Sequence, residues 1–398
     1  MEAPAQGRRG SIRSIRDLDL KNQRVFIRVD FNVPISDAGE VEDDNRICEA
    51  LPTIRHAIEQ RAKVILGSHL GRPKAKPEPK YSLEPVAHHL AKLLEMEVTL
   101  ADDCVGEGIE LMTQNLKQGQ VLLLENLRFH GGEEANSPDF VNGLARLADV
   151  YVNDAFGTSH RKHASVYGLP KAMANKGMGF LIEKELKYMN LLLDNPPRPF
   201  HLILGGAKVS DKIETVQSLM RRTDSILIGG AMAFAFQAAQ GESVPANAKQ
   251  PAPEDVQAAA TILRDAKKVD LPITLPADLI ESFDIGPKTV ERFCRVLESA
   301  KTVFWNGPLG WFEKPEYAGG TFAIAKYLAG RGGVLKVVGG GDTVSAVKAS
   351  GFEAGFDHLS TGGGAVLEYL VGDGLPGIDV LRQIGRHAPA GPLSDSDE

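Results

Sequence analysis

A chain of 398 residues is too long for one ordinary hydrophobic core, so two domains are expected. With 43% hydrophobic and 24% charged residues it has the make-up of a soluble globular protein, which excludes a disordered or fibrous chain. The formal net charge of −7 argues against non-specific nucleic-acid binding, which needs a broad positive field, so an anionic ligand would require a local basic patch.

The first ten residues are biased in composition, and Arg8, Arg9, Arg13 and Arg16 have no apolar stretch behind them that would make a signal peptide. The longest apolar runs fall short of a membrane span. Cys48, Cys104 and Cys294 lie far apart with no CxxC pair, which suggests neither a disulfide framework nor a thiolate zinc site. A cytoplasmic protein with no membrane partner is expected.

Short β-branched runs alternate with amphipathic stretches of helical length, the pattern of α/β units around a mostly parallel sheet. Predicted strands are 25–29, 63–66, 121–124 and 150–152, then 201–204, 225–228, 302–305 and 335–338. Between the two sets, 181–194 reads as an amphipathic helix stopped by Asn195-Pro196-Pro197, the natural connector. The expected domains are 1–180, a linker at 181–197, 198–370, and a C-terminal segment 371–398 returning toward the first domain with a mobile tail from Arg386. No repeat of fixed period is present.

In open α/β sheets ligands bind beyond the carboxyl ends of the strands. The early strands are followed by Asp30, Asn32, His69, Arg72, Arg128, His160 and Arg161, the late ones by Gly205-Gly206, Gly229-Gly230, Asn306-Gly307 and Gly339-Gly340-Gly341. The first half therefore looks built to hold a small polyanion by side chains, the second a nucleotide by main chain. Arg28, Arg46, Arg72, Arg128 and Arg161 offer planar donor forks for a carboxylate and a phosphate. His160 and His163 lack a third ligand of matching spacing, so no metal is expected there.

No Gly-Lys dipeptide occurs, which excludes a Walker A loop. The one GxGxxG match, Gly372, Gly374 and Gly377, lacks the strand-to-helix setting of a dinucleotide site. Gly205-Gly206 leads into Lys208 and Lys212, four apart at an expected helix start with both ammonium groups on one face. That arrangement is either a phosphate site or a solvated basic helix face. Gly339-Gly340-Gly341-Asp342-Thr343 offers N–H groups to phosphate and a carboxylate to magnesium, or else a helix cap, and the two roles are compatible. Ser360-Thr361-Gly362-Gly363-Gly364 opens another helix as a hinge or an anion nest.

Longer motifs resemble phosphoglycerate kinases. They are Arg28-Val29-Asp30-Phe31-Asn32-Val33-Pro34, Ser68-His69-Leu70-Gly71-Arg72-Pro73, Leu124-Glu125-Asn126-Leu127-Arg128-Phe129 and Asp154-Ala155-Phe156-Gly157-Thr158-Ser159-His160-Arg161. The glycine-rich runs above, Asp284-Ile285-Gly286-Pro287-Lys288-Thr289 and Trp305-Asn306-Gly307-Pro308 with Phe312-Glu313 belong to the same series, which keeps family order over residues 18–378.

The resemblance implies two Rossmann-like domains, each a mostly parallel sheet flanked by helices, joined by an interdomain helix and hinge. It implies reversible phosphoryl transfer between 1,3-bisphosphoglycerate and ADP, giving 3-phosphoglycerate and ATP, by a monomer. Asp30, Phe31, Asn32, Arg46, His69, Leu70, Gly71, Arg72, Arg128, His160 and Arg161 would hold the phosphoglycerate, and Arg46, Lys208 and Lys212 would be catalytic. Lys212, Asn306, Glu313, Gly340, Gly341, Asp342 and Thr343 would hold ATP or ADP, with Asp342 as a ligand to Mg2+.

The sequence departs from the family pattern at Glu42, Val366 and Asp373, where threonine, serine and lysine are usual. More consequential, the stretch 275–284 is much shorter than family members generally carry, and Ser282 and Phe283 stand where a glycine and a leucine commonly line the adenine pocket. The alternatives are a non-catalytic substrate-binding homologue, against which intact Arg46, Lys208, Lys212 and Asp342 speak, and a dinucleotide-dependent oxidoreductase, which lacks its fingerprint.

Overall fold

The computed structural model of the protein describes residues 11–372 and 374–382. The expectations for the first ten residues, Asp373 and the tail from Arg386 lie outside the described residues. The chain divides into two compact units. One takes residues up to Asp154, Arg161–Phe180 and the residues from Pro376 onward, and the other takes Ala155–His160 and Leu181–Leu375.

In the first unit, β1 (Arg24–Arg28), β2 (Lys63–Gly67), β3 (Val98–Leu100), β4 (Val121–Leu123), β5 (Val150–Asn153) and β6 (Lys176–Met178) form a sheet in the order β3-β4-β2-β1-β5-β6. Every pairing in it is parallel. The near-continuous apolar runs follow from that, because a parallel sheet buries both faces. Alternation along the strands sorts the side chains into two cores. Val25, Ile27, Val64, Leu66, Val150 and Val152 pack on one face with Ile47 and Ile54 of helix Asn45–Glu59 and Val86 and Leu90 of helix Glu84–Leu94. Phe26, Ile65, Leu122 and Tyr151 pack on the other with Ile109 of helix Glu107–Asn115 and Leu144 of helix Pro138–Ala145. The last described residues join this second core through Leu381, and Asn153 Nδ2 donates to the Gly377 carbonyl at 3.1 Å.

The second unit repeats the plan. β7 (Phe200–Leu204), β8 (Ser225–Ile228), β9 (Ile273–Thr274), the antiparallel pair β10 (Leu279–Ile280) and β11 (Asp284–Ile285), β12 (Thr302–Asn306), β13 (Leu335–Gly339) and β14 (His358–Leu359) follow in sequence. The main sheet has the order β14-β13-β12-β7-β8-β9 and is again wholly parallel. Ile203, Leu227, Val303, Trp305 and Val338 pack against Phe293 and Leu297 of helix Pro287–Leu297 and Ile324 and Leu328 of helix Gly319–Ala329.

All eight predicted strands are present, with ends displaced by one residue at most. Of the strands that sequence reasoning missed, β10 and β11 form the separate antiparallel pair, and β3, β6, β9 and β14 are the four edges of the two main sheets. They have two or three residues each and carry no long β-branched run. The predicted helix at 181–194 is Phe180–Asp194. Gly372 sits in the left-handed region at φ +102 and closes helix Gly364–Val371, so the GxGxxG match follows a helix and not a strand. Among the described residues no helix is long and apolar enough to cross a membrane.

Candidate active site

In the first unit the chain leaves β1 into Asp30, Phe31 and Asn32. Phe31 is fully buried, and its backbone N–H donates to Ser68 Oγ at 2.9 Å, locking this loop to the one leaving β2. The Asp30 carboxylate accepts from Arg46 Nη1 at 2.9 Å, and Asn32 Oδ1 accepts from the Gly71 N–H at 2.8 Å. Gly71 has φ +61, and a Cβ there would meet the Tyr81 ring at 2.4 Å, so only glycine suits the turn.

Asn126 binds the same loop from the end of β4. Its Nδ2 donates to the carbonyls of Leu70 at 2.7 Å and Tyr81 at 2.9 Å, while its Oδ1 accepts from Arg128 N–H at 3.0 Å. The buried Arg128 guanidinium donates to the Gly71 carbonyl at 2.8 Å and pairs with Glu134 at 3.3 Å.

His69 lies at the centre of this cluster, 4% exposed. Burial first, then the positive fields of Arg28, Arg128, Arg161 and Arg46, holds its imidazole well below its ordinary value. It is therefore neutral near pH 7. Arg28 Nη2 stands 3.3 Å from His69 Nδ1, and since arginine only donates, Nδ1 is the acceptor and the ring proton is on Nε2. Several guanidiniums thus surround a site that cannot add a further positive charge, the electrostatic setting for a small polyanion.

Arg28 is a support within this setting. It is 1% exposed, and its fork is spent on Ser165 Oγ at 2.8 Å, the Val29 carbonyl and His69. Ser165 in turn donates to the fully buried Glu133 carboxylate at 2.6 Å. Arg72 is exposed, Leu70 is buried, and Arg161 is half-buried. His160 belongs to the second unit.

In the second unit β7 ends at Gly205 and Gly206. A Cβ on Gly205 would lie 2.1 Å from the Pro308 carbonyl oxygen, and Gly206 and Gly307 have φ +84 and +101, so the loops after β7 and β12 approach as closely as they do only with glycine. Lys212 is half-buried and donates to the carbonyls of Gly205 at 2.7 Å and Asn306 at 2.9 Å. Desolvation lowers its ammonium to about 8, with Asp211 and Asp342 opposing the shift.

Asn306 Nδ2 donates to the Gly339 carbonyl at 2.9 Å, and the Gly307 N–H donates to Thr343 Oγ1 at 2.6 Å. Gly340, at φ +91, precedes helix Gly341–Ala349, and the space beside Gly341 is open. Asp342 is exposed on the first turn of that helix. Lys208 and Glu313 are also exposed.

The expectation that Lys208 and Lys212 share one helix face is corrected. Lys208 precedes the short 3-10 turn Ser210–Lys212, and helix Ile213–Leu219 begins only after Lys212. Lys212 folds onto backbone carbonyls while Lys208 points to solvent, because Asp255 accepts the N–H groups of Val209 and Ser210, both at 2.9 Å, and turns the chain between them. Sequence reasoning missed Asp255, the organising roles of Asn126 and Glu133, and a buried cluster around Glu185. There the Glu185 carboxylate accepts from His358 Nε2 and Ser360 Oγ, both at 2.7 Å, and from Thr361 N–H at 2.9 Å.

Comparison with known proteins bears on the whole chain. The family model described as phosphoglycerate kinase matches residues 15–283 and 280–373, the two segments meeting at the turn between β10 and β11. The phosphoglycerate kinase of Anaeromyxobacter sp. (strain Fw109-5) is 50% identical over 397 residues, covering 93% of this chain and 99% of that protein. That of Solibacter usitatus (strain Ellin6076) is 50% identical over 390 residues, 92% of this chain and 98% of the relative. Among solved structures, phosphoglycerate kinase from Coxiella burnetii aligns with a TM-score of 0.82 at 35% identity, covering 93% of this chain and 99% of that one. The enzyme from Pyrococcus horikoshii OT3 aligns at 0.81 and 32%, covering 92% and 98%. On both family model and full-length relatives, the chain belongs to the phosphoglycerate kinase family and is a phosphotransferase.

Proposed function

We propose that this chain catalyses reversible, Mg2+-dependent phosphoryl transfer between 1,3-bisphosphoglycerate and ADP, giving 3-phosphoglycerate and ATP. The observation that carries this is the neutral, buried His69 ringed by guanidiniums in one unit, in a chain whose other unit gathers Lys212, Asn306 and Thr343 at glycine-built strand ends.

In the direction of acyl phosphate formation the nucleophile is the carboxylate of 3-phosphoglycerate, ionised at neutral pH because an unperturbed carboxyl group has a pKa of about 4. No general base is needed. What the chain must supply is alignment and neutralisation of charge on the group in transfer. Asp30, Asn32, His69, Gly71, Arg72, Arg128 and Arg161 are assigned to binding the phosphoglycerate, with Phe31 and Leu70 buried beneath them. Arg46 and Lys208 are assigned to the phosphoryl group in transfer, and Lys212 to nucleotide phosphate. Gly340, Gly341, Thr343, Asn306 and Glu313 complete the nucleotide side. Hinge closure that brings the substrates together and excludes water belongs to the same proposal.

The residues at the start of helix Gly341–Ala349 fit magnesium. Asp342 presents an exposed carboxylate beside open space at Gly341, and Mg2+ is usually held by one or two carboxylates plus substrate oxygens and water. When bound, the ion supplies neutralisation of phosphate charge. A monomer in the cytoplasm, without nucleic-acid or membrane partners, accompanies the proposal.

The deciding experiment is turnover of ATP with 3-phosphoglycerate, followed by coupled consumption of the acyl phosphate, with and without Mg2+. Turnover that needs all three supports the assignment. Binding of both substrates without turnover would identify a non-catalytic homologue instead.

A further inference from the structure

Asp103 and Cys104 are neighbours after β3, and His130, which follows the short turn Leu127–Phe129, stands 26 and 27 positions beyond them in sequence. None of them is among the residues assigned above to the substrates or the transferring group. The fold nonetheless brings an Asp103 carboxylate oxygen, Cys104 Sγ and a His130 ring nitrogen within 4.8 Å of one another. His130 Nε2 and Asp103 Oδ1 are 2.6 Å apart.

The cluster is held in place from several sides. The Glu125 N–H donates to the Asp103 carbonyl at 3.3 Å, tying the loop after β3 to the end of β4, and the Asp103 carboxylate also accepts from the Cys104 N–H at 2.6 Å. The His130 ring stacks on Phe140 with centroids 5.3 Å apart, which fixes its plane. Cys104 is wholly buried, whereas the Asp103 and His130 side chains are 48% and 35% exposed and line a cavity of about 610 Å³. Glu78, Asp102 and Glu125 line the same cavity, so its field favours a cation.

We propose that Asp103, Cys104 and His130 form a zinc(II) site whose fourth position opens on this cavity. The donor set selects the ion. A thiolate with an imidazole suits zinc and disfavours magnesium and calcium, which take oxygen ligands, and three protein ligands leave one tetrahedral position for water. With zinc–sulfur near 2.3 Å and zinc–nitrogen or –oxygen near 2.0–2.2 Å, ligand atoms of a tetrahedral centre lie about 3.3–3.6 Å apart. The Asp103–His130 pair must open by under about 1 Å and the sulfur approach by no more than about 1.5 Å to reach those separations, movements within the range of side-chain torsions.

A zinc-bound cysteine is a thiolate, so binding breaks the Cys104 S–H bond, forms the zinc–sulfur bond and releases the thiol proton to solvent. Occupancy would also pin the turn that carries Arg128 to the loop after β3. The sequence gives no hint of this, since the site uses one cysteine and a histidine 26 positions away.

The test is titration of the full chain, first stripped with a chelator, with Co2+ as the probe, followed by displacement with Zn2+. One equivalent should produce a thiolate-to-cobalt charge-transfer band together with the intense visible bands of a tetrahedral site. Proton release measured in two buffers should accompany it. Cys104→Ala should abolish the charge-transfer band. His130→Gln, a change at a partly exposed ring that the fold should tolerate, should weaken cobalt binding about tenfold or more while phosphoryl transfer, measured on the same sample, continues. Zn2+ should raise the melting midpoint of the wild-type chain and not that of either variant. Absence of the band at saturating Co2+, a band that survives Cys104→Ala and vanishes in Cys48→Ser, or affinity unchanged by His130→Gln would each overturn the site.

Discussion

The Asp30 carboxylate holds the Arg46 guanidinium at 2.9 Å, with Asp30 buried and the Arg46 side chain 35% exposed. The geometry suits an arginine fixed at its root and free to offer its remaining donors to an anion. If Arg46 acts on the group in transfer, loosening this anchor should cost catalysis more than folding, since Arg46 keeps contact with water and an asparagine amide oxygen can still accept from it. Asp30→Asn is expected to lower kcat/KM for 3-phosphoglycerate by about tenfold to a hundredfold, with the melting midpoint nearly unchanged. A large loss of melting temperature with normal kinetics would make the pair structural.

Lys208 is exposed, ahead of the turn that Asp255 organises. Lys208→Ala should therefore leave stability untouched. Because its charge is assigned mainly to the transition state, kcat should fall by several orders of magnitude while 3-phosphoglycerate affinity hardly moves. Steady-state kinetics beside calorimetric titration check this, and a near wild-type kcat would remove Lys208 from the mechanism.

Lys212 titrates near 8 in the folded chain against an ordinary 10.5, desolvation being the main cause. Between those values the unfolded chain binds more protons than the folded one, so this group makes folding stability rise with pH across that window. Nucleotide phosphate has the opposite preference and favours the charged ammonium. ADP affinity should consequently decline as pH rises above about 8, and Lys212→Arg, which stays charged, should lose the decline. Calorimetric ADP binding from about pH 7 to 9.5 measures it; a flat wild-type profile contradicts the assignment.

Glu185 is fully buried on helix Phe180–Asp194 and accepts from His358, Ser360 and Thr361, so its carboxylate fastens the start of the Ser360-Thr361-Gly362-Gly363-Gly364 run. Glu185→Ala would leave those donors buried without an acceptor. A loss of about 3 kcal/mol or more is expected in urea unfolding, most of it the desolvation cost of the orphaned groups. A loss below about 1 kcal/mol would mean that water replaces the carboxylate.

How far the sequence carried this structure depends on the kind of signal. Val25, Ile27, Val64 and Leu66 are legible because central parallel strands must be apolar on both faces. Ile273–Thr274 and His358–Leu359 are not, because an edge strand of two residues is defined by its neighbour's hydrogen bonds rather than by its own composition. The candidate site follows the same division. His69, Arg128 and Lys212 stand out through charge beside strand ends. Asp255, Asn126 and Glu185 do not, since each is a single polar residue whose importance comes from backbone groups distant in sequence. The folding of Lys212 onto two carbonyls is likewise a matter of tertiary approach, which the spacing to Lys208 cannot express.

The connection before Asp284 is a tight turn between two-residue strands. β10 and β11 close on a tight turn in which Glu281 and Ser282 have φ +47 and +68, a conformation unfavourable to residues with a Cβ, and Phe283 N–H donates to the Ile280 carbonyl at 2.9 Å. The Phe283 ring stays 37% exposed, lying 5.0 Å from Tyr317 and 5.8 Å from Trp311 between centroids. Ser282 and Phe283, which the family resemblance places at the adenine pocket, are thus committed to a surface turn and an aromatic cluster. If no other wall replaces them, the base loses apolar contact while Lys212, Asn306 and Asp342 remain to meet the phosphates. Each buried methylene is worth about 0.8 kcal/mol, so a missing wall segment weakens nucleotide binding by about tenfold or more. KM should be raised for ATP and GTP alike, with little selectivity between them and kcat much less affected, because phosphate and magnesium interactions do not depend on the base. Steady-state kinetics with the two nucleotides decides: a low KM for ATP with strong rejection of GTP would mean that the shortened segment still completes a specific adenine pocket.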